Sequence, residues 1–266
     1  MNERLVEFGH GSFGILTLPE VPVGGPLVVL FNAGNMHRMG PFRMHVELAR
    51  ALARAGHAVL RWEQHRIGDA LDPAPDSVVA CAGDMLGRAL AVSGCERAVV
   101  GGLCSASDWG WQLAQSDERV CGVLMLDGYA RSGFWYRVGQ AKLALGRSLR
   151  SWMKSLRKRL KAPRAAPAAA ADFREWPARA EAPGQLQRLI DRGGRAFFLY
   201  TGGSADYFLM PRQFRRTWGA GALHPSVHFE HWPDCDHLFM LIQYRERLFE
   251  VLEHWLAGFR PDLARP

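Results

Sequence analysis

Residues 99–107, Val99-Val100-Gly101-Gly102-Leu103-Cys104-Ser105-Ala106-Ser107, decide the fold class. The apolar run entering this stretch does not alternate with polar residues, as expected of a strand buried on both faces. It ends on Gly102-Leu103-Cys104-Ser105-Ala106, with small residues two before and two after a central thiol. A sharp strand-to-helix turn lifts a nucleophile out of a sheet on strained backbone, and bulky flanking residues would collide across that turn. Cys104 fits the apex. Centring the turn on Ser105 instead puts Leu103 where a small residue is needed. A buried cysteine that ends a core strand has the same local sequence, so the order of the remaining residues has to decide.

Working outward, further apolar runs alternate with segments of helical period, as a mostly parallel sheet with crossover helices requires. The expected strands are 13–18, 26–32, 58–63, 97–104, 122–127, 195–201 and 227–233; the expected helices are 41–55, 76–92, 107–115 and 238–259. In the first of these, Pro41 opens a turn and Met44, Leu48 and Leu52 recur at four-residue spacing. The class is α/β, with helices on both faces of the sheet.

Residues 129–183 interrupt this rhythm as an insertion between the two parts of the core, 1–128 and 184–266. Leu145, Leu149, Trp152, Met153, Leu156 and Leu160 follow helical spacing, and residues 131–161 hold ten Lys or Arg with no Asp or Glu. The Ala/Pro-rich run 162–172 follows, so the insertion reads as a basic helical lid and a linker.

With 266 residues, 48% hydrophobic and 22% charged, the chain is one globular domain and not a disordered polypeptide. Five widely spaced cysteines without a C-x-x-C pair indicate neither a disulfide framework nor structural zinc. No signal-peptide pattern and no charge-free run of about 18 residues is present, so a cytoplasmic protein is expected, with peripheral contact to the inner membrane through the basic lid as a further option. The net charge of +7 is concentrated in that lid.

A nucleophile elbow calls for an acid and then a histidine later in the chain. Asp206, in the Gly-rich loop after the strand 195–201, is the expected acid, and Asp127, at the preceding strand end, is its substitute. His237, in the loop after 227–233, is the expected base. The oxyanion hole is expected from the backbone N–H of Ser105 and one more from Gly34, Asn35 or Met36. His37, Arg38 and Trp135 are candidates for substrate contact, with His65 and Arg66 of similar standing to the first two.

Carrying GLCSA as elbow, SAD as acid loop and DHLF as histidine loop, the chain resembles the α/β-hydrolase superfamily over nearly its whole length. More narrowly, NAGNMHRMGPFRMHVELARALARAG, VLRWEQHRIGDA, Gly102-Leu103-Cys104 and Leu126-Asp127-Gly128-Tyr129 are similar to bacterial hydrolases associated with exosortase systems. Ser105-Ala106-Ser107 departs from the Asp-Gly-Ala type of run in that group, and Glu63-Gln64 stands where an Asp is usual. The resemblance implies an α/β-hydrolase fold.

A thiol paired with histidine forms a thiolate readily, attacks soft acyl donors and yields an activated thioester. The expected function is a thioesterase or acyltransferase working through an acyl-cysteine, on an acyl thioester carried by an acyl carrier protein or coenzyme A. The alternatives are a carboxylester hydrolase with a Cys nucleophile, and an idle hydrolase fold that binds a carrier or membrane surface through its lid. The chemistry requires no metal and no organic cofactor. Nucleic acid is not expected, since no binding motif accompanies the basic charge.

Overall fold

The computed structural model describes residues 1–9, 11–70, 78–145, 177–178 and 180–259. Eight strands form one sheet: β1 (Asn2–Gly9), β2 (Ser12–Leu18), β3 (Leu27–Leu30), β4 (Val59–Glu63), β5 (Ala98–Leu103), β6 (Val120–Leu126), β7 (Arg195–Thr201) and β8 (Val227–Trp232). Their spatial order is β1-β2-β4-β3-β5-β6-β7-β8. The first two pairings, β1 with β2 and β2 with β4, are antiparallel, and all the others are parallel.

Among the described residues seven α-helices accompany the sheet: α1 (Met44–Arg54), α2 (Val78–Ser93), α3 (Ser105–Ser116), α4 (Phe134–Leu145), α5 (Ala182–Asp191), α6 (Arg212–Trp218) and α7 (Ile242–Ala257). Their apolar stripes build a core on each face. On one face Met85, Leu86, Trp111, Leu186 and Trp218 pack around Trp62, Val100 and Phe198. On the other, Met44, Leu48, Leu52, Leu248 and Trp255 cover Val28, Leu124 and Phe197. Strands β3, β5 and β6 are buried throughout, which matches their unbroken apolar sequence.

The differences from the sequence reading have local causes. The sequence pattern does not single out β1, whose Asn2-Glu3-Arg4-Leu5 are exposed: it is an edge strand held by its ladder to β2 rather than by burial. Helix α3 begins at Ser105, two residues before the expected 107, because the elbow reverses within one residue. Helix α7 begins at Ile242 and not at 238. The Asp236 carboxylate takes the N–H groups of Leu238 and Met240, both at 2.9 Å, and holds them in a turn instead.

After β4 the chain crosses the sheet, so β3 and β5 are neighbours whose following loops depart in opposite directions. The crevice outside their carboxyl ends is the topological switch point, where open α/β sheets bind ligands. Helix α4 lies on the loop after β7: Gly139 leaves room there for Leu209 and Met210, and Tyr136 Oη donates to the Asp206 carbonyl at 2.6 Å. Leu149, Trp152, Met153, Leu156, Leu160 and the Ala/Pro linker lie outside the described residues. Among the described residues no helix is long and apolar enough to cross a membrane.

Candidate active site

Cys104 stands between β5 and α3 with φ 59° and ψ −122°, a strained conformation for a residue with a side chain. Its N–H donates to the Leu126 carbonyl at 2.8 Å, and Ser107 Oγ donates to the carbonyls of Gly102 and Leu126 at 2.7 and 3.1 Å. These bonds fasten the turn to the end of β6. The flanking small residues meet: a Cβ on Gly102 would lie 3.0 Å from the Ala106 Cβ, and one on Gly101 only 2.1 Å from the Leu124 carbonyl oxygen. Centring on Cys104 is therefore what the steric pattern requires.

Asp127 follows β6 with φ 50° and is fully buried. Its carboxylate accepts from Thr201 N and Thr201 Oγ1, each at 2.6 Å, and from His237 Nδ1 at 2.7 Å. Tyr207 Oη donates to its carbonyl at 2.7 Å. This makes Asp127, and not Asp206, the carboxylate that orients His237. Asp206 is exposed, and the contact it makes with α4 is through its backbone. The preceding glycines explain the loop: a Cβ on Gly202 would lie 2.1 Å from the Pro233 carbonyl oxygen, and one on Gly203 within 2.3–2.5 Å of His237 N, Cα and Cβ. The Gly-rich loop thus admits the histidine loop rather than supplying an acid. Thr201 and Tyr207, which the sequence reading missed, hold Asp127; a hydroxyl residue at the end of the strand facing Asp127 was the available signal.

His237 also hydrogen-bonds Cys104. Burial disfavours its charged form, but the hydrogen bonds to Asp127 and Cys104 and the negative charge of both outweigh burial and raise it to about 9. His237 is thus the titratable group that faces the Cys104 thiol at the elbow. Cys235, two residues before, is the opposite case: burial and then the nearby charges of Asp236 and Asp127 push its thiol up to about 12, leaving it inert at neutral pH.

The loop after β3 faces the elbow. Gly34, at φ 54°, directs its N–H onto Ser105 Oγ at 2.6 Å. The Met36 N–H is committed to the Ala33 carbonyl at 2.9 Å, which removes it as an oxyanion donor, and Asn35 is exposed. Ser105 is the first residue of α3, where an amide has no acceptor within the helix. Of the expected donors, the structure brings Ser105 and Gly34 together at the elbow.

Arg38 is tied into the scaffold. Its guanidinium bonds Glu63, Asp69 at 2.8 Å and His37 Nε2 at 2.8 Å, and it covers the Phe13 ring. Fully buried Glu63 also accepts from Asn32 Nδ2 and from the Arg38 N–H, both at 3.1 Å, so it ties down both ends of the loop that carries Gly34. The ligand atoms of His37, Glu63 and Asp69 lie within 4.8 Å of one another, but the cation among them is the guanidinium. Trp135 opens α4, with the Arg212 guanidinium 4.7 Å from its ring centre.

Solved structures with this architecture include a proline iminopeptidase from Mycobacterium smegmatis, at TM-score 0.58 and 17% identity over 97% of this chain and 99% of that one. An alpha-beta serine hydrolase homologue from Coxiella burnetii matches at TM-score 0.55 and 13% identity, over 94% and 97% of the two chains. The fold is that of the α/β hydrolases. A dienelactone hydrolase from Anabaena variabilis aligns at TM-score 0.58 and 12% identity over 97% and 98%. No family model and no curated protein matches the sequence. In this α/β-hydrolase fold the elbow sits at β5, the acid after β6 and the histidine after β8.

Proposed function

We propose that the protein is an acyl-processing enzyme, a thioesterase or acyltransferase that works through an acyl-cysteine on Cys104. The observation that carries this reading is the chain of hydrogen bonds from Asp127 to His237 to Cys104 at a nucleophile elbow. The Cys104 thiolate attacks the acyl carbonyl carbon, and the carbonyl π electrons move to oxygen. Collapse of that intermediate expels the leaving thiol, which takes its proton from the His237 imidazolium. His237, now neutral, removes a proton from water, an alcohol or an amine as that acceptor attacks the acyl-cysteine, and the second collapse returns the thiolate and imidazolium. Asp127 fixes the tautomer with Nδ1 protonated and leaves Nε2 for the proton transfers.

A thioester substrate suits a thiolate because a thiol leaves easily and an acyl-cysteine is about as reactive as the donor, so the acyl group can pass on rather than stall. Exposed apolar residues on α4 (Phe134, Leu143, Leu145) and before and within the first turn of α7 (Met240, Leu241, Ile242) favour an acyl group over a polar one. The basic insertion favours a donor presented by an anionic carrier, either an acyl carrier protein or coenzyme A, and is compatible with peripheral attachment to an anionic membrane in the cytoplasm.

The test is intact-mass analysis after incubation with a series of acyl thioesters, beside Cys104→Ala. The expected result is an acyl adduct on the natural chain and none on the variant, with added alcohols or amines separating transfer from hydrolysis. Turnover that survives Cys104→Ala would refute the mechanism.

A further inference from the structure

Among the described residues four serines are buried: Ser12, Ser105, Ser107 and Ser204. Three of them donate their hydroxyl hydrogen to a backbone carbonyl: Ser12 to Glu63, Ser107 to Gly102, and Ser204 to Thr201. Ser105 differs. Its Oγ accepts from Gly34 N–H at 2.6 Å, which uses a lone pair, and among the described residues no acceptor takes its hydrogen. A buried hydroxyl hydrogen left without an acceptor is uncommon and calls for an explanation.

The position supplies one. Gly34 N–H is the loop amide that faces the elbow, and an acceptor 2.6 Å from it occupies the place expected of a substrate oxyanion. The amide is therefore already engaged by the hydroxyl of the residue that follows Cys104. We propose that the Ser105 side chain is itself an oxyanion donor: Gly34 N–H polarises Oγ, and the Oγ–H bonds the carbonyl oxygen as negative charge develops on it. The backbone N–H of Ser105 supplies the second bond, so one residue provides both. A donor engaged by an N–H becomes a stronger acid, and a chain of bonds strengthens as the charge forms. This inference rests on the acyl-transfer reading and assigns to Ser105 Oγ the role that the backbone of the β3 loop would otherwise hold.

Two reactions of the same sulfur separate this role from a structural one. Acylation by the butyryl thioester of N-acetylcysteamine builds charge on a carbonyl oxygen; alkylation by iodoacetamide displaces iodide at a saturated carbon and needs no oxyanion hole. In Ser105→Ala the acylation rate, read by intact mass, is expected to fall roughly 10²–10³-fold, the usual loss for one oxyanion donor, while alkylation of Cys104 stays within about twofold. Acylation that is unchanged or faster would overturn the proposal, because the hydroxyl would then only be blocking Gly34. An equal fall in both rates would overturn it as well, since Ser105 would be positioning Cys104. A natural chain that is alkylated but never acylated refutes the acyl-transfer reading and the oxyanion role with it, a result distinct from either outcome in the variant.

Discussion

Two pairs of adjacent glycines, Gly101-Gly102 before the elbow and Gly202-Gly203 after β7, do parallel jobs by different means. In each pair the first glycine avoids a carbonyl oxygen 2.1 Å from where its Cβ would be, Leu124 in one case and Pro233 in the other. In each pair the second makes room for a part of the active site, the Ala106 methyl or the backbone of His237. The elbow glycines additionally sit at φ 138° and 148°, backbone that side chains rarely adopt, whereas Gly202 and Gly203 are required only for space. The difference teaches that a glycine-rich strand end signals close approach of another segment, and that a charged residue beside it need not be the functional group.

Gly203→Ala drives a methyl to within 2.5 Å of His237, and because the conflict is with backbone, the histidine loop must move. The expected loss of acyl transfer is about 10³-fold, in keeping with a misplaced base, with secondary structure by circular dichroism unchanged. A retained rate would mean that the loop yields elsewhere. Next in size is Glu63→Ala, which leaves Arg38 and Asn32 without their buried partner; a destabilisation of roughly 3 kcal/mol in urea unfolding is expected. That result would show that the β3 loop depends on a buried charge where the glycine loops depend on space.

His237 also responds to pH. Its imidazolium persists up to about pH 9, so acylation of Cys104 by donors with poor leaving groups should hold its rate to that point and fall up to tenfold per pH unit above it. Because the folded value lies above the ordinary 6.5, the contribution to stability is complete below pH 6.5 and is lost as pH rises through about 9. A descending limb near pH 7 in the natural chain would contradict this. The smallest effect belongs to Gly102→Ala: its contact with Ala106 is 3.0 Å, tight but not prohibitive, so the cost is chiefly the backbone conformation, and a loss of about tenfold in rate is expected from refolded protein.

The elbow was legible in the sequence because its cause is local: Gly102, Cys104 and Ala106 lie within five residues, and their meeting follows from one turn. The core helices were legible for the same reason, as with Met44, Leu48 and Leu52 on α1. The acid was not, because both Asp127 and Asp206 follow strands whose carboxyl ends face the crevice. Only the register of β6 against β7, which pairs Leu126 with Leu199 and sets Asp127 beside Thr201, separates them. The Arg38–Glu63 pair was hidden similarly: the two residues are 25 apart and meet only because β3 and β4 are neighbours. Position along the chain marks which loops reach the site, and hydrogen-bond partners select the residue within them.

The central claim is that Asp127, through His237, activates Cys104. It is tested most directly by measuring the rate of acyl-adduct formation from one thioester in Asp127→Asn and Asp206→Asn side by side. The expected result is a fall of roughly 10²–10⁴-fold for Asp127→Asn and a rate within twofold of the natural chain for Asp206→Asn. A large loss in Asp206→Asn with Asp127→Asn near normal would contradict it.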